Sequence, residues 1–360
     1  MRYIVIGAGA IGGAIGGKLA ASGHEVVLVA RGAHLDALRA KGLTLATPDG
    51  TSTLDIPAVA GPAEIDLRED DVLLLATKTQ DAEALLTDWA WQPVRNTTGS
   101  AAGALPVVCA QNGVASERIA LRRFRHVYGM CVWMPATHLE AGAVEASGSP
   151  MTGLLHLGRY PSGTDATADQ IGADLAGSGF LAPVVPDVMR WKYGKLLANL
   201  SNAIEAVCGH DAWLHASDLR RRVTAEGRAV LDAAGLAYAS NKESAELRAD
   251  RVQILPVNGA ERAGGSSWQS LIRGTGSIEA DFLNGEIVLM ARERGIPVPV
   301  NEVLQRLANQ AARDRRPPGS ATPDEILTLA ALPADPAGSL TSTMWMRPGS
   351  SWWISMILPT

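Results

Sequence analysis

Cysteine is scarce in this chain. Cys109, Cys131 and Cys208 stand far apart, with no C-x-x-C pair and no histidine at ligand spacing. That excludes a disulfide framework, so the three are expected as reduced thiols and no metal site is expected. Basic charge is also in deficit: 32 Lys and Arg against 37 Asp and Glu leave a formal net charge of −5. A nucleic-acid partner, which calls for a basic domain or stripe, is disfavoured. No uncharged apolar run is long enough to span a bilayer, so no membrane contact is expected. The first residues run straight into a strand-and-glycine pattern, so no secretory signal is expected and the cytoplasm is the expected compartment. What remains is ordinary globular composition, 47% hydrophobic and 19% charged over 360 residues. That length accommodates two domains, each with its own core.

The first half alternates strands with helices. Arg2–Ile6 is a short apolar run, 7–17 is glycine-rich, and 11–22 reads as a helix that Gly23 ends. A second β-branched run covers 25–30. Residues 43–55 place Pro48-Asp49-Gly50 between two alternating stretches, which predicts a hairpin decorating the sheet. Further apolar strands are predicted at 71–76 and 105–110, the latter entering Gln111-Asn112-Gly113. Strands separated by helical segments predict a parallel, doubly wound sheet. From about Asp187 the pattern turns helical, with helices predicted over 190–207, 219–234, 240–253 and 277–294. The expected organisation is a dinucleotide-binding domain over 1–187, an all-helical domain over 188–316, and an extension over 317–360. That extension carries Trp345, Trp352 and Trp353 and is expected to pack on the protein body or to form a homodimer contact.

Gly7-Ala8-Gly9-Ala10-Ile11-Gly12 is a G-x-G-x-x-G run. It follows a strand and opens a helix inside a strand–helix–strand unit, the context that makes the pattern a Rossmann fingerprint. Gly7 permits the tight turn, Gly9 lets the backbone approach a pyrophosphate, and Gly12 allows close helix–strand packing. The second strand ends in Val29-Ala30-Arg31-Gly32. A cation stands where NAD sites usually place a carboxylate, and a guanidinium suits a 2′-phosphate, so NADPH is the expected cofactor. Lys78, just past the fourth strand, stands at the carboxyl edge of the sheet, where it can assist phosphate binding.

Lys195, Asn199 and Asn202 fall at i, i+4 and i+7 on the helix predicted over 190–207, a narrow polar stripe on a helix otherwise apolar nearly all round. Burying such groups without partners costs on the order of 2–7 kcal/mol each, so a ligand-lined cleft explains the stripe better than a solvated face. Arg190 and Lys192, nearer the helix start, are expected to reach water. Glu279 aligns with core residues Leu283 and Met290 in the helix predicted over 277–294, and Lys195 is its natural cationic partner.

Together these segments resemble the ketopantoate reductase family over most of residues 1–310. The resemblance is carried by 7–13, Val29-Ala30-Arg31-Gly32, Gln111-Asn112-Gly113, Lys195-Leu196-Leu197-Ala198-Asn199, and Ser267 to Glu279 leading into Asp281-Phe282-Leu283-Asn284-Gly285. It implies Lys195 as general acid and Asn112 as the residue ordering substrate and nicotinamide. It further implies that Asn199 binds substrate, Ser267 its carboxylate and Glu279 its hydroxyl group. The family's second helix asparagine often lies one turn after the first; this chain has Ala203 there and Asn202 one residue earlier. Residues 268–274 also depart from the Met-Leu-Gln-Asp pattern of pantoate-forming members. The expected activity is NADPH-dependent reduction of a small 2-oxo acid, with a place in pantothenate biosynthesis implied by the resemblance. An opine-type or hydroxy-acid dehydrogenase and a non-catalytic NADP(H) sensor are the alternatives.

Overall fold

The computed structural model describes residues 1–138, 140–260 and 264–332; the three tail tryptophans lie outside these residues. Strand Arg2–Ile6 is buried on both faces, and its residues alternate between two cores. Tyr3 and Val5 join one with Ile15 and Leu19 of helix Ala10–Ala21. Ile4 and Ile6 join the other with Leu86 and Trp89 of helix Ala82–Ala90. Apolar side chains on both faces from Tyr3 to Ile6 are what a strand covered by helices on both sides requires.

This strand pairs in parallel with Glu25–Val29 on one side and Asp71–Leu75 on the other. The order continues outward from Asp71–Leu75 through Pro106–Cys109 and His126–Trp133, with Leu154–Arg159 added antiparallel at the edge. The Rossmann expectation holds. Because the inner strands are parallel, their following loops gather along one edge: Gly7, Arg31, Lys78 and Asn112 stand there, and strand His126–Trp133 ends there too. The order reverses on either side of Arg2–Ile6, so this edge is also the topological switch point, where ligands of such sheets bind. The hairpin expected over 43–55 forms as Leu43–Thr47 with Gly50–Leu54, part of a second, four-stranded sheet.

The second half is a helical layer around Leu196, Leu200, Val207, Leu231, Ile287 and Leu304, and Ala321 and Ile326 pack into the same core. Three local expectations are corrected. The helix expected over 190–207 is two helices, Val188–Asn199 and Asn202–Cys208, joined by a turn at Leu200–Ser201. There the amide of Ile204 bonds the Ser201 carbonyl at 3.1 Å, tightening the chain locally. The helix expected over 240–253 stops at Arg248. Val252–Ile254 is a strand paired with Gly148–Pro150, so this domain is helical with one strand grafted onto the first half. The stretch 277–294 is a short 3₁₀ turn, Glu279–Phe282, then helix Asn284–Arg292.

One buried group makes the fold acid-sensitive. His156 on Leu154–Arg159 is 0% exposed and stacks on Trp191 at 4.0 Å; among the described residues neither ring nitrogen has a hydrogen-bond partner. Burial lowers its pKa from 6.5 to about 4. The neutral form is the folded form, so stability is whole above pH 6.5 and is lost as pH falls towards 4. At about 1.4 kcal/mol per pH unit, roughly 3 kcal/mol is at stake. His138, lowered to about 4 by burial, His34 and Arg273, acts in the same direction. Urea denaturation at pH 7 and 4.5 is expected to show a smaller acid loss for His156→Leu than for the parent; equal losses would remove His156 from the account.

Candidate active site

The glycine loop shows which of its glycines the fold itself needs. A Cβ on Gly12 would sit 2.1 Å from the Gly7 carbonyl oxygen, and one on Gly7, at φ +102°, would sit 2.5 Å from Thr77 Cγ2. Gly9 is different. A Cβ there would meet nothing within 4 Å, so internal packing does not require glycine at this position and the space beside it is open. Gly9 also caps helix Ala10–Ala21, whose first turn has no acidic residue. Backbone N–H groups and the helix dipole there suit an anion, and the Gly7–Gly12 loop with Ala8, Ala10 and Ile11 fits a dinucleotide pyrophosphate. Arg31 caps the next helix with a side chain 89% exposed, 3.7 Å from Asp81. It stands free of the core, just past the carboxyl end of the second strand.

Three polar clusters lie where this edge meets the helical layer. In the first, Glu279 accepts from the Thr79 amide at 3.1 Å, and the single proton of the Thr79 hydroxyl is shared between the Asn112 carbonyl at 3.2 Å and the Glu279 carboxylate at 3.4 Å. Lys78 donates to the Ser270 hydroxyl at 3.0 Å and to the Ser277 carbonyl at 3.4 Å. Burial is the main influence on both ions: it raises the Glu279 pKa against the Thr79 hydrogen bonds and the Lys78 charge, and lowers that of Lys78. The expected Glu279–Lys195 pair is therefore corrected to Glu279 with Thr79, beside Lys78. The 3₁₀ turn turns Glu279 towards the Lys78–Thr79 loop, away from the face a continuous helix would have given it. Lys78, for its part, reaches from the sheet edge to Ser270 on helix Ser266–Ile272.

In the second cluster, Lys195 donates to the Val132 carbonyl, and its ammonium lies 4.9 Å from the centre of the Trp133 ring. Asn199, 9% exposed, follows one turn later; among the described residues its buried Nδ2 has no acceptor. An orphaned buried amide donor costs about 1–3 kcal/mol, which a ligand carbonyl or hydroxyl would recover. In the third, Asn202 opens the next helix beside Gly265, whose amide bonds Glu205 at 2.9 Å; Ser267, buried, follows on helix Ser266–Ile272. Asn202 starts the second of the two helices, and Leu200 and Ser201 between them keep helical backbone angles.

Sequence reading missed the device that joins these clusters. Lys192, expected in water, is 2% exposed; it pairs with Glu117, which is 0% exposed, and donates to the Gln111 carbonyl at 3.2 Å. It thus ties the helix carrying Lys195 to the loop carrying Asn112. The carboxylate sits 75 residues away in sequence, and no local spacing signals it.

Comparison with known proteins agrees with this geometry. A family model described as ketopantoate reductase PanE/ApbA matches residues 3–162, and the model of that family's C-terminal part matches 187–312. The chain belongs to the ketopantoate reductase family. It is 26% identical over 309 residues to 2-dehydropantoate 2-reductase of Pyrococcus horikoshii, covering 85% of this chain and 96% of that one. The enzyme of the same name from Archaeoglobus fulgidus is 28% identical over 313 residues, covering 85% and 96%. Among solved structures, a PanE/ApbA family ketopantoate reductase from Ralstonia eutropha superposes with a TM-score of 0.70 at 25% identity, covering 88% and 100%. D-mandelate dehydrogenase with NADH and anilino(oxo)acetate reaches 0.72 at 20% identity, with the same coverage, a likeness of fold. Family and fold make this ketopantoate reductase relative an NAD(P)H-dependent oxidoreductase of 2-oxo acids.

Proposed function

We propose that this protein reduces a ketopantoate-like 2-oxo acid to the 2-hydroxy acid with NADPH, in the cytoplasm and in pantothenate biosynthesis. The observation that carries this reading is the Lys195 ammonium at the carboxyl edge of the sheet, one turn from the unpartnered Asn199 amide. When bound, the reduced nicotinamide supplies the hydride. Lys195 gives a proton to the substrate's C2 oxygen as negative charge develops on it, and the Asn199 amide donates a further hydrogen bond nearby. Asn112 orders substrate and nicotinamide, Glu279 accepts from a substrate hydroxyl, and Asn202 and Ser267 line the same cleft. Turnover of NADPH with a panel of 2-oxo acids tests the reading; oxidation of NADPH with none of them would overturn it.

Arg31 sets the cofactor expectation. NADPH should bind at least about tenfold more tightly than NADH, near 1.4 kcal/mol, and Arg31→Asp should shrink or reverse the gap. Titration of both cofactors into parent and variant checks this, and equal affinities in the parent would overturn it. A hydroxy-acid dehydrogenase using NADH is the second reading, favoured by the fold likeness to D-mandelate dehydrogenase with NADH. A pure cofactor sensor is the weakest reading, because binding alone gives Lys195 and Asn199 no task. The partner is a small molecule, without nucleic acid, membrane or metal, and a homodimer is the assembly to test.

A further inference from the structure

Trp133 ends strand His126–Trp133, and two cations lie over its ring. One is Lys195, 4.9 Å from the ring centre; the other is Arg248, the last residue of helix Asn241–Arg248, with its guanidinium carbon 4.2 Å from the same centre. The neighbouring arginines have tasks. Arg190 pairs with Glu243 at 2.6 Å, Arg251 donates to the Leu247 carbonyl, and Arg273 donates to the His138 carbonyl at 3.3 Å. Arg248 differs: among the described residues its guanidinium makes no hydrogen bond and no ion pair, only the ring contact, although it is partly buried. Burial lowers its pKa, which marks a charge removed from water without an acid to compensate it. Contact with the ring uses none of the five N–H donors, so the fork that matches a carboxylate stays available.

A 2-oxo acid carries its carboxylate one bond from the carbonyl to be reduced. A site for it needs a proton donor and, immediately beside it, an anion anchor. We propose that Arg248 is that anchor, holding the substrate carboxylate near the Lys195 ammonium, since both cations contact the one Trp133 ring. This rests on the reading of Lys195 as proton donor, and it moves the carboxylate from Ser267, the residue the family resemblance implied. Ser267 offers one neutral hydroxyl from the Asn202–Gly265 side of the cleft, whereas a guanidinium offers two charge-assisted hydrogen bonds.

The test uses the NADPH-loaded full chain and oxamate, a non-reducible analogue of a 2-oxo acid, with binding followed by calorimetry. Arg248→Gln should weaken oxamate by about tenfold or more with NADPH affinity unchanged, and Ser267→Ala should weaken it less. In turnover, Arg248→Gln should raise KM for the acid by a similar factor with kcat within about threefold, and should erase the preference for a 2-oxo acid over its methyl ester. A role confined to packing would not move the acid-over-ester preference. Arg248→Lys keeps a cation over the ring but loses the fork; should the glutamine variant fail to fold, weaker oxamate binding by the lysine variant decides. Unchanged oxamate affinity in the variant that folds overturns the proposal, as does loss of the acid preference in Ser267→Ala with its retention in Arg248→Gln. A parent protein that turns over 2-oxo acids while Arg248→Gln behaves like it overturns this inference alone. A parent that binds NADPH but neither binds oxamate nor reduces any 2-oxo acid overturns the proposed function, and this inference with it.

Discussion

Lys195→Ala is expected to lower kcat by about 10²- to 10⁴-fold, the usual loss on removing a general acid, while NADPH affinity stays within a few-fold. The two effects separate because the ammonium rests on Val132 and the Trp133 ring, whereas the pyrophosphate cradle is built from backbone around Gly9 on a different loop. Alanine also removes a long stem from a partly buried place, so Lys195→Met serves as the packing control. Methionine keeps most of the stem without the proton, and it should be nearly as inactive as alanine. Glu279→Ala should behave differently, raising KM for a hydroxylated 2-oxo acid and lowering kcat less, since its bonds run to Thr79 and not to Lys195. Steady-state kinetics on the three variants, with NADPH binding measured separately, checks the assignment. Near-normal turnover by Lys195→Met would remove the lysine from the chemistry.

Lys192→Ala is expected to cost about 3–5 kcal/mol of stability, the range for breaking a buried ion pair by removing one partner. At position 117 the alanine would leave a carboxylate that is 0% exposed with no cation beside it, and it would also unpin the Gln111 carbonyl. Glu117→Gln should destabilise in the same direction by leaving the ammonium without its counter-ion. The double variant Lys192→Met, Glu117→Leu tests the cause, because replacing both charges by apolar groups of similar size is often neutral or better. It should recover most of the stability in urea denaturation. Its turnover should stay below that of the parent, because the link from the Lys195 helix to the Asn112 loop is gone. If the double variant is as unstable as Lys192→Ala, packing volume and not the unpaired charge explains the loss.

Two errors of sequence reading share one origin. Nearness to the helix start points Lys192 to water, and apolar faces on two long helices point Lys195 and Glu279 to each other. Helical spacing reports which residues share a face, not what lies opposite that face. Here the facing groups, Glu117 on helix Ser116–Leu121 and Thr79 at the start of a 3₁₀ turn, come from parts of the first half that only the folded sheet brings opposite the helical layer. The Leu200–Ser201 turn was hidden for a related reason: the residues on both sides favour helix, and the interruption is a matter of how the two segments pack. Nothing local marks Arg248, because the Trp133 ring it contacts comes from a distant strand.

What the sequence determined by itself is whatever depends on neighbours a few residues away. The apolar runs at 2–6, 25–29, 71–75 and 106–109 demand strands buried on both faces, and Gly7, Gly9 and Gly12 demand a tight turn into a helix. From these follow the parallel sheet, the dinucleotide loop and Arg31 at the second strand's end. Tertiary structure alone decided the partners of the buried charges, Lys192 with Glu117 and Glu279 with Thr79, and the pairing of strand Val252–Ile254 with Gly148–Pro150. A backbone pattern is set by local sterics and periodic burial. The partner of a buried ion, by contrast, is whichever group the chain's path through space brings within hydrogen-bond distance, and sequence separation says nothing about that.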